Sequence, residues 1–196
     1  MKKETKMNYG NKFRYLRIII NKINMIIAIS WVDNTGKSSL IQELTNILRK
    51  EGRKVKILEE IARKHIEVKH FAEKQDLISI DEEERFLKLL SYNKEDILLI
   101  DRTISDNVFF NNYWVICGEK WEFKEDYMPM TYKTPYRKVF LITKRVKETD
   151  KYYFTNEDFR KKFNQYIINK YNPICIDEKD LQKRINLILK HIKDEI

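Results

Sequence analysis

The stretch that decides the fold is Met25 to Leu40, MIIAISWVDNTGKSSL, followed at once by IQELTNILRK. Ile26-Ile27-Ala28-Ile29 is a short apolar run without polar alternation, the pattern of a central parallel strand buried on both faces. From Ser38 onward Leu40, Ile41, Leu44, Ile47 and Leu48 recur at helical spacing, and Gly52 after Arg49-Lys50 marks the stop. Between strand and helix, Gly36-Lys37-Ser38-Ser39 forms the distal half of the phosphate-binding pattern G-x-x-x-x-G-K-[ST]. The leading glycine position holds Trp31. A glycine there lets the chain turn sharply. An indole must either pack beside the loop or stack on a bound base, and the sequence leaves both readings open.

Outward from this loop the chain alternates between apolar runs and amphipathic segments. Lys54 to Leu58 reads as a second strand whose end carries Glu59-Glu60, and Ile97-Leu98-Leu99-Ile100 as a buried strand running into Asp101-Arg102. Val139-Phe140-Leu141-Ile142 and Ile174-Cys175-Ile176 complete the strands. Helical spacing is predicted over Ile61 to Phe71, Asp81 to Leu90, Asp106 to Ile116, Asp158 to Tyr171 and Leu181 to Ile192, with a long loop from Trp121 to Tyr136. Strands alternating with helices imply an α/β fold, a three-layer arrangement in which helices cover both faces of a five-stranded parallel sheet.

A chain of 196 residues, 42% of them hydrophobic, suits one domain, which we place at 25–196 behind a basic extension at 1–24. Seven of the first 24 residues are Lys or Arg against Glu4 alone, a net +6 of the total +9, so the remaining body carries only +3. Its charges are interleaved as on solvated helix faces, which argues against a DNA-binding surface on the body and leaves nucleic-acid contact to the extension. Cys117 and Cys175 lack metal-type spacing and are too few for a disulfide framework; they are expected as buried thiols in a reducing cytoplasm. Ile18-Ile19-Ile20 is too short to span a bilayer, so no membrane segment is expected. His65, His70 and His191 form no ligand set and read as surface residues.

Phosphate binding requires backbone N–H groups converging on one point, a helix N-terminus and a cation that follows the transferred group. Residues 32–39 supply all three. Lys37 is expected to meet the β- and γ-phosphates and Ser38 to ligate Mg²⁺, while Ser39 and the amides of Thr35 and Gly36 hold the remaining oxygens. Asp33 and Asn34 complete the nucleotide-binding loop. Asp101, an acid closing a buried strand, calls for a partner or a metal ion. An acceptor hydroxyl would need a carboxylate near it: Glu60 at a strand end is best placed, with Asp33 and Asp101 as competitors. An acceptor phosphate would instead draw on Arg63 and Arg102. Beyond Ile142, a polar segment containing Lys144, Arg145 and Lys147 is placed like a lid, and Arg145 is its candidate catalytic cation.

With these residues in view, the chain resembles the P-loop nucleoside and nucleotide kinases, thymidylate kinase-like proteins above all, with features of the nicotinamide-riboside-kinase-like group. Val32-Asp33-Asn34-Thr35-Gly36-Lys37-Ser38 is similar to the thymidylate kinase loop, which implies that Asp33 faces the acceptor. Asp101-Arg102 resembles the Asp-Arg pair that these kinases place between donor and acceptor. Asp106 and Phe110 resemble the downstream acid and aromatic of the riboside-kinase-like pattern, and Glu60-Ile61-Ala62-Arg63 its E-x-A-R. The resemblance implies a P-loop NTPase fold with ATP and Mg²⁺ as phosphoryl donor and a small-molecule acceptor, and it leaves a homodimer open. Three competing functions remain at this level: a switch-type NTPase, a nucleic-acid module acting through residues 1–24, and a nucleotide-binding protein without catalysis.

Overall fold

The computed structural model describes residues 25–31, 36–59, 97–103, 105–106, 109, 136–144 and 157–193. Five strands form one sheet: β1 (Met25–Trp31), β2 (Val55–Leu58), β3 (Ile97–Asp101), β4 (Lys138–Ile142) and β5 (Ile174–Ile176). Their order is β2-β3-β1-β4-β5, and every pairing is parallel. All seven residues of β1 are buried, as the unbroken apolar run requires of a strand with neighbours on both edges and helices on both faces.

Helix α1 (Lys37–Lys50) and helix α3 (Leu181–Lys193) cover one face of the sheet, and helix α2 (Glu157–Tyr171) covers the other. Ser38, Ser39, Thr45 and Asn46 are mediocre helix formers, so α1 depends on its packed stripe rather than on propensity. Leu40, Ile41, Leu44 and Leu48 are buried along that stripe against Ile27, Ile29, Leu99 and Ile188. Each such side chain contributes on the order of 1.5–3 kcal/mol by leaving water, enough to outweigh the weak propensities. Thr45 turns its hydroxyl back onto the Ile41 carbonyl at 2.7 Å, which hides its polarity inside the packed face.

Helix α1 ends as the glycine signal predicts. Gly52 takes φ +84°, its N–H donates to the Arg49 carbonyl at 3.0 Å, and the Arg53 N–H donates to Leu48 at 3.0 Å. That pair of bonds is a Schellman ending, for which a left-handed residue is required. Arg49 then reaches forward to the Val55 carbonyl at 2.7 Å, tying the helix end to the start of β2. At the other end of the fold, Asp180 caps α3 by accepting from the Lys183 N–H at 2.9 Å.

The five predicted strands are present with small shifts in their ends. The strand expected at Ile97 to Ile100 runs one residue further, because Asp101 still pairs in register with Ile29 of β1. Lys54 lies just outside β2, although its carbonyl accepts the Ile97 N–H at 3.0 Å. Two expectations are corrected. Cys175 is exposed rather than buried, since β5 is an edge strand of the sheet. His191 is half-buried beside Phe140, with ring centroids 6.2 Å apart. The helices predicted at Ile61 to Phe71 and Asp81 to Leu90, most of Asp106 to Ile116, most of the loop from Trp121, and Cys117, His65 and His70 lie outside the described residues, as does the extension at 1–24. Among the described residues no helix is long and apolar enough to cross a membrane.

Candidate functional site

The sheet order brings the carboxyl ends of β3, β1 and β4 side by side, with α1 starting beside β1. The connections leaving β1 and β4 run to opposite sides of the sheet, toward β2 and toward β5. In open α/β sheets a crevice for ligands forms where neighbouring connections diverge in this way.

Gly36 forms the N-cap of α1 with φ +77°, a left-handed conformation that costs glycine little and other residues more. Among the described residues no side chain caps the helix there. Gly36, Ser38 and Ser39 are exposed, so the first-turn N–H groups and both hydroxyls face outward, where an anion would gain from the positive end of the helix dipole. Lys37, the first helical residue, is by contrast only 3% exposed. Its ammonium forms an ion pair with Asp101 at 2.9 Å and lies 4.0 Å from the centroid of the Trp31 ring.

Strand periodicity explains this meeting. Side chains alternate between faces, so Ile27, Ile29 and Trp31 of β1 and Ile97, Leu99 and Asp101 of β3 point toward the α1 side. Trp31 therefore lies in the core beneath α1 at 3% exposure, packed with the apolar residues that surround it. Of the two readings left open for this indole, packing is the one observed, with the Lys37 ammonium against its face.

The opposite face carries a second polar group. Ser30 points there, and its hydroxyl donates to both carboxylate oxygens of Asp106 at 2.9 and 3.0 Å. The Thr103 hydroxyl also bonds Asp106, and the Asp106 N–H returns to Thr103 Oγ1 at 3.2 Å, a reciprocal cap on the turn that leaves β3. Ser105, fully buried, bonds the Tyr171 hydroxyl at the end of α2. Between the two groups Arg102 takes φ +78°, rare for a residue with a side chain, while its N–H donates to the Ile29 carbonyl at 3.0 Å and holds the turn against β1.

Burial raises the Asp106 carboxyl from 3.8 to about 7, against the opposing pull of Thr103, Arg102 and Ser30. Asp106, which resembles the downstream acid of the riboside-kinase-like pattern, is fully buried and has Ser30 and Thr103 as partners. It fixes the turn that presents Asp101 and Arg102. Ser30, Thr103, Ser105 and Tyr171 were missed by the sequence reading. A lone serine inside an otherwise aliphatic strand is the signal that would have found the first of them.

A third cluster joins the ends of β4 and β5. Arg184 of α3, a fully buried side chain, donates to the Lys144 carbonyl at 2.8 Å and to the Glu178 carbonyl. Burial lowers its pKa below the usual arginine value. Thr143 donates to Asp177 at 2.9 Å, and Lys144 pairs with the same carboxylate at 3.0 Å; these two contacts hold the Asp177 pKa low. Lys144, considered above as a lid cation, is thus engaged with the loop after β5.

Of the residues singled out from sequence, the structure gathers Gly36, Lys37, Ser38, Asp101 and Arg102 at one edge of the sheet, with Ser39 in the same helical turn. Asp33, Asn34, Thr35, Glu60, Arg63, Phe110 and Arg145 lie outside the described residues. The donors present fit a hard divalent cation, since an exposed serine hydroxyl at a helix start and a nearby carboxylate both offer oxygen. Among the described residues no group of three or more His, Cys, Asp or Glu side chains forms a cage, so such a cation would need phosphate oxygens to complete its shell.

No family model and no curated protein matches this chain. Its fold does match solved structures. A deoxyadenosine kinase from M. mycoides with bound dATP superposes at TM-score 0.61 with 17% identity, over 86% of this chain and 99% of that one. A thymidylate kinase from Ehrlichia chaffeensis superposes at TM-score 0.60 with 14% identity, over 86% and 98%. The five-stranded parallel sheet, its strand order and the loop-to-helix junction at Gly36 thus identify the fold of this chain as that of the P-loop nucleoside and nucleotide kinases.

Proposed function

We propose that this protein is a phosphotransferase that moves the terminal phosphoryl group of Mg-ATP to a nucleoside or a nucleoside monophosphate. The observation that carries the reading is the Lys37 ammonium, held at the uncapped start of α1 beside two exposed serines and 2.9 Å from Asp101. Phosphoryl transfer needs positioning and charge neutralisation more than covalent chemistry, and this edge of the sheet concentrates the groups that provide both. The α1 amides and the Ser39 hydroxyl bind phosphate oxygens, Lys37 follows the transferred group, and Arg102 neutralises charge between donor and acceptor. Ser38 and Asp101 are the residues that would hold Mg²⁺, which would supply charge neutralisation for the transferred group. Asp33, Asn34, Thr35 and Gly36 form the loop around those phosphates.

On the acceptor side Glu60 acts as base for a nucleoside hydroxyl, with Asp33 and Asp101 as competing candidates, while Arg63 and Arg102 bind the phosphate of a nucleotide acceptor. Arg145 supplies the lid cation. The named activities of the structural neighbours, deoxyadenosine kinase and thymidylate kinase, agree with both acceptor classes.

The test is an acceptor panel with Mg-ATP: nucleosides, their monophosphates, nicotinamide riboside and 5′-hydroxyl oligonucleotides. ADP formation that depends on one of the first two classes is expected, and Lys37→Ala should abolish nearly all of it while the far-ultraviolet spectrum is unchanged. Hydrolysis at the same rate without any acceptor would replace this reading with that of a switch-type NTPase.

A further inference from the structure

We infer that Trp31 is a positioning residue for the phosphate-site lysine: its indole face is the fixed seat of the Lys37 ammonium, at the place where the loop pattern has glycine. The functional consequence rests on the reading of Lys37 proposed above; the contact itself does not.

Three observations converge on this seat. The ammonium lies 4.0 Å from the ring centroid, well inside the range over which an aromatic face attracts a cation. Both partners are nearly excluded from water, Trp31 at 3% and Lys37 at 3% exposure, and desolvation is the condition under which that attraction is strongest. The ring also cannot swing aside, because it is enclosed by the core that α1 and α3 form on the sheet and its backbone is locked opposite Ile142 in β4.

A lysine stem is flexible, and left to itself it samples many positions of its charge. Here Asp101 holds the ammonium at 2.9 Å from one side and the indole supports it from another. A ring face compensates positive charge without consuming an N–H donor, so it can remain in place when a phosphate oxygen arrives. Asp101, an ion-pair partner, competes with that oxygen for the charge. The replacement of glycine by tryptophan is thus not a sign of a weakened loop. It exchanges freedom of the backbone for a defined resting place of the catalytic charge.

The two views predict opposite outcomes for Trp31→Gly, which restores the pattern. If the indole were only an obstruction, the glycine variant would bind Mg-ATP more tightly than the wild type; with the seat removed it should bind more weakly. Because a glycine also leaves a cavity, Trp31→Leu and Trp31→Phe separate the ring face from apolar bulk. In full-length protein labelled with ¹³C at lysine Cε, one lysine methylene should lie upfield of the others through the ring current, and Lys37→Met should delete that signal. Trp31→Phe should keep it displaced, and Trp31→Leu should return it to the main group. Titration with Mg-ATP should then give about a tenfold weaker Kd for Trp31→Leu and less than a threefold change for Trp31→Phe.

A wild-type spectrum without a displaced lysine, or a folded Trp31→Leu protein that binds Mg-ATP as tightly as wild type, overturns the inference. A displaced lysine in a wild-type protein that binds no Mg-ATP supports the seat and removes the kinase reading instead.

Discussion

Replacing Asp106 with Asn tests whether burial or hydrogen bonding governs the polar group behind the site. The carboxyl is fully buried, accepts from Ser30 and Thr103, and lies beside Arg102; burial nevertheless raises it from 3.8 to about 7. In the unfolded chain an aspartate titrates near 3.9. Between that value and about 7 the folded protein holds a proton that the unfolded chain has lost, so stability falls as pH rises through this window. The contribution is complete below about pH 4 and gone above about pH 7. At about 1.36 kcal/mol per pH unit, a shift of roughly three units sets a ceiling of about 4 kcal/mol on the loss.

Asparagine keeps the shape and the carbonyl acceptor but cannot ionise. Urea denaturation of both proteins at pH 5, 6, 7 and 8 should therefore show Asp106→Asn gaining about 2.5 kcal/mol on the wild type across the series. Every other titrating group is common to the two proteins and drops out of the difference. If the difference stays constant within about 0.5 kcal/mol, Asp106 is ionised throughout, and the Arg102 charge with the hydroxyl donors outweighs burial.

Two further substitutions probe the scaffold. Arg184→Leu removes the donors that meet the Lys144 and Glu178 carbonyls, and the loss should be about 3 kcal/mol in urea denaturation, with Arg184→Lys recovering part of it; a cost below about 1 kcal/mol would mean that the β4 and β5 ends do not depend on this link. Gly52→Ala meets no atom within 4 Å of the added Cβ, so its expected cost of about 1 kcal/mol is backbone strain alone, and a neutral or stabilising result would contradict the left-handed helix ending.

By itself the sequence determined the architecture of this protein. An uninterrupted apolar run such as Ile97 to Ile100 can hide only in the interior of a parallel sheet, and the stripe from Leu40 to Leu48 can be buried only as a helix, so local pattern fixed both kinds of element. The junction at the start of α1 was legible for the same reason: Gly36, Lys37, Ser38 and Ser39 are adjacent in the chain, and the phosphate site proposed for them is recognised without a distant partner.

Only the tertiary structure decided what surrounds Lys37. Trp31 and Lys37 are close in sequence, yet their contact depends on the face to which β1 turns each side chain and on the seating of α1 over that face. Asp101 joins them through the pairing of β3 with β1, and Ser30 reaches Asp106 across 76 positions of sequence. Whether a buried acid is a substrate ligand or an internal brace is set by which chain segments close around it. That choice follows from the packing of the whole sheet and its helices, and no local pattern of residues carries it.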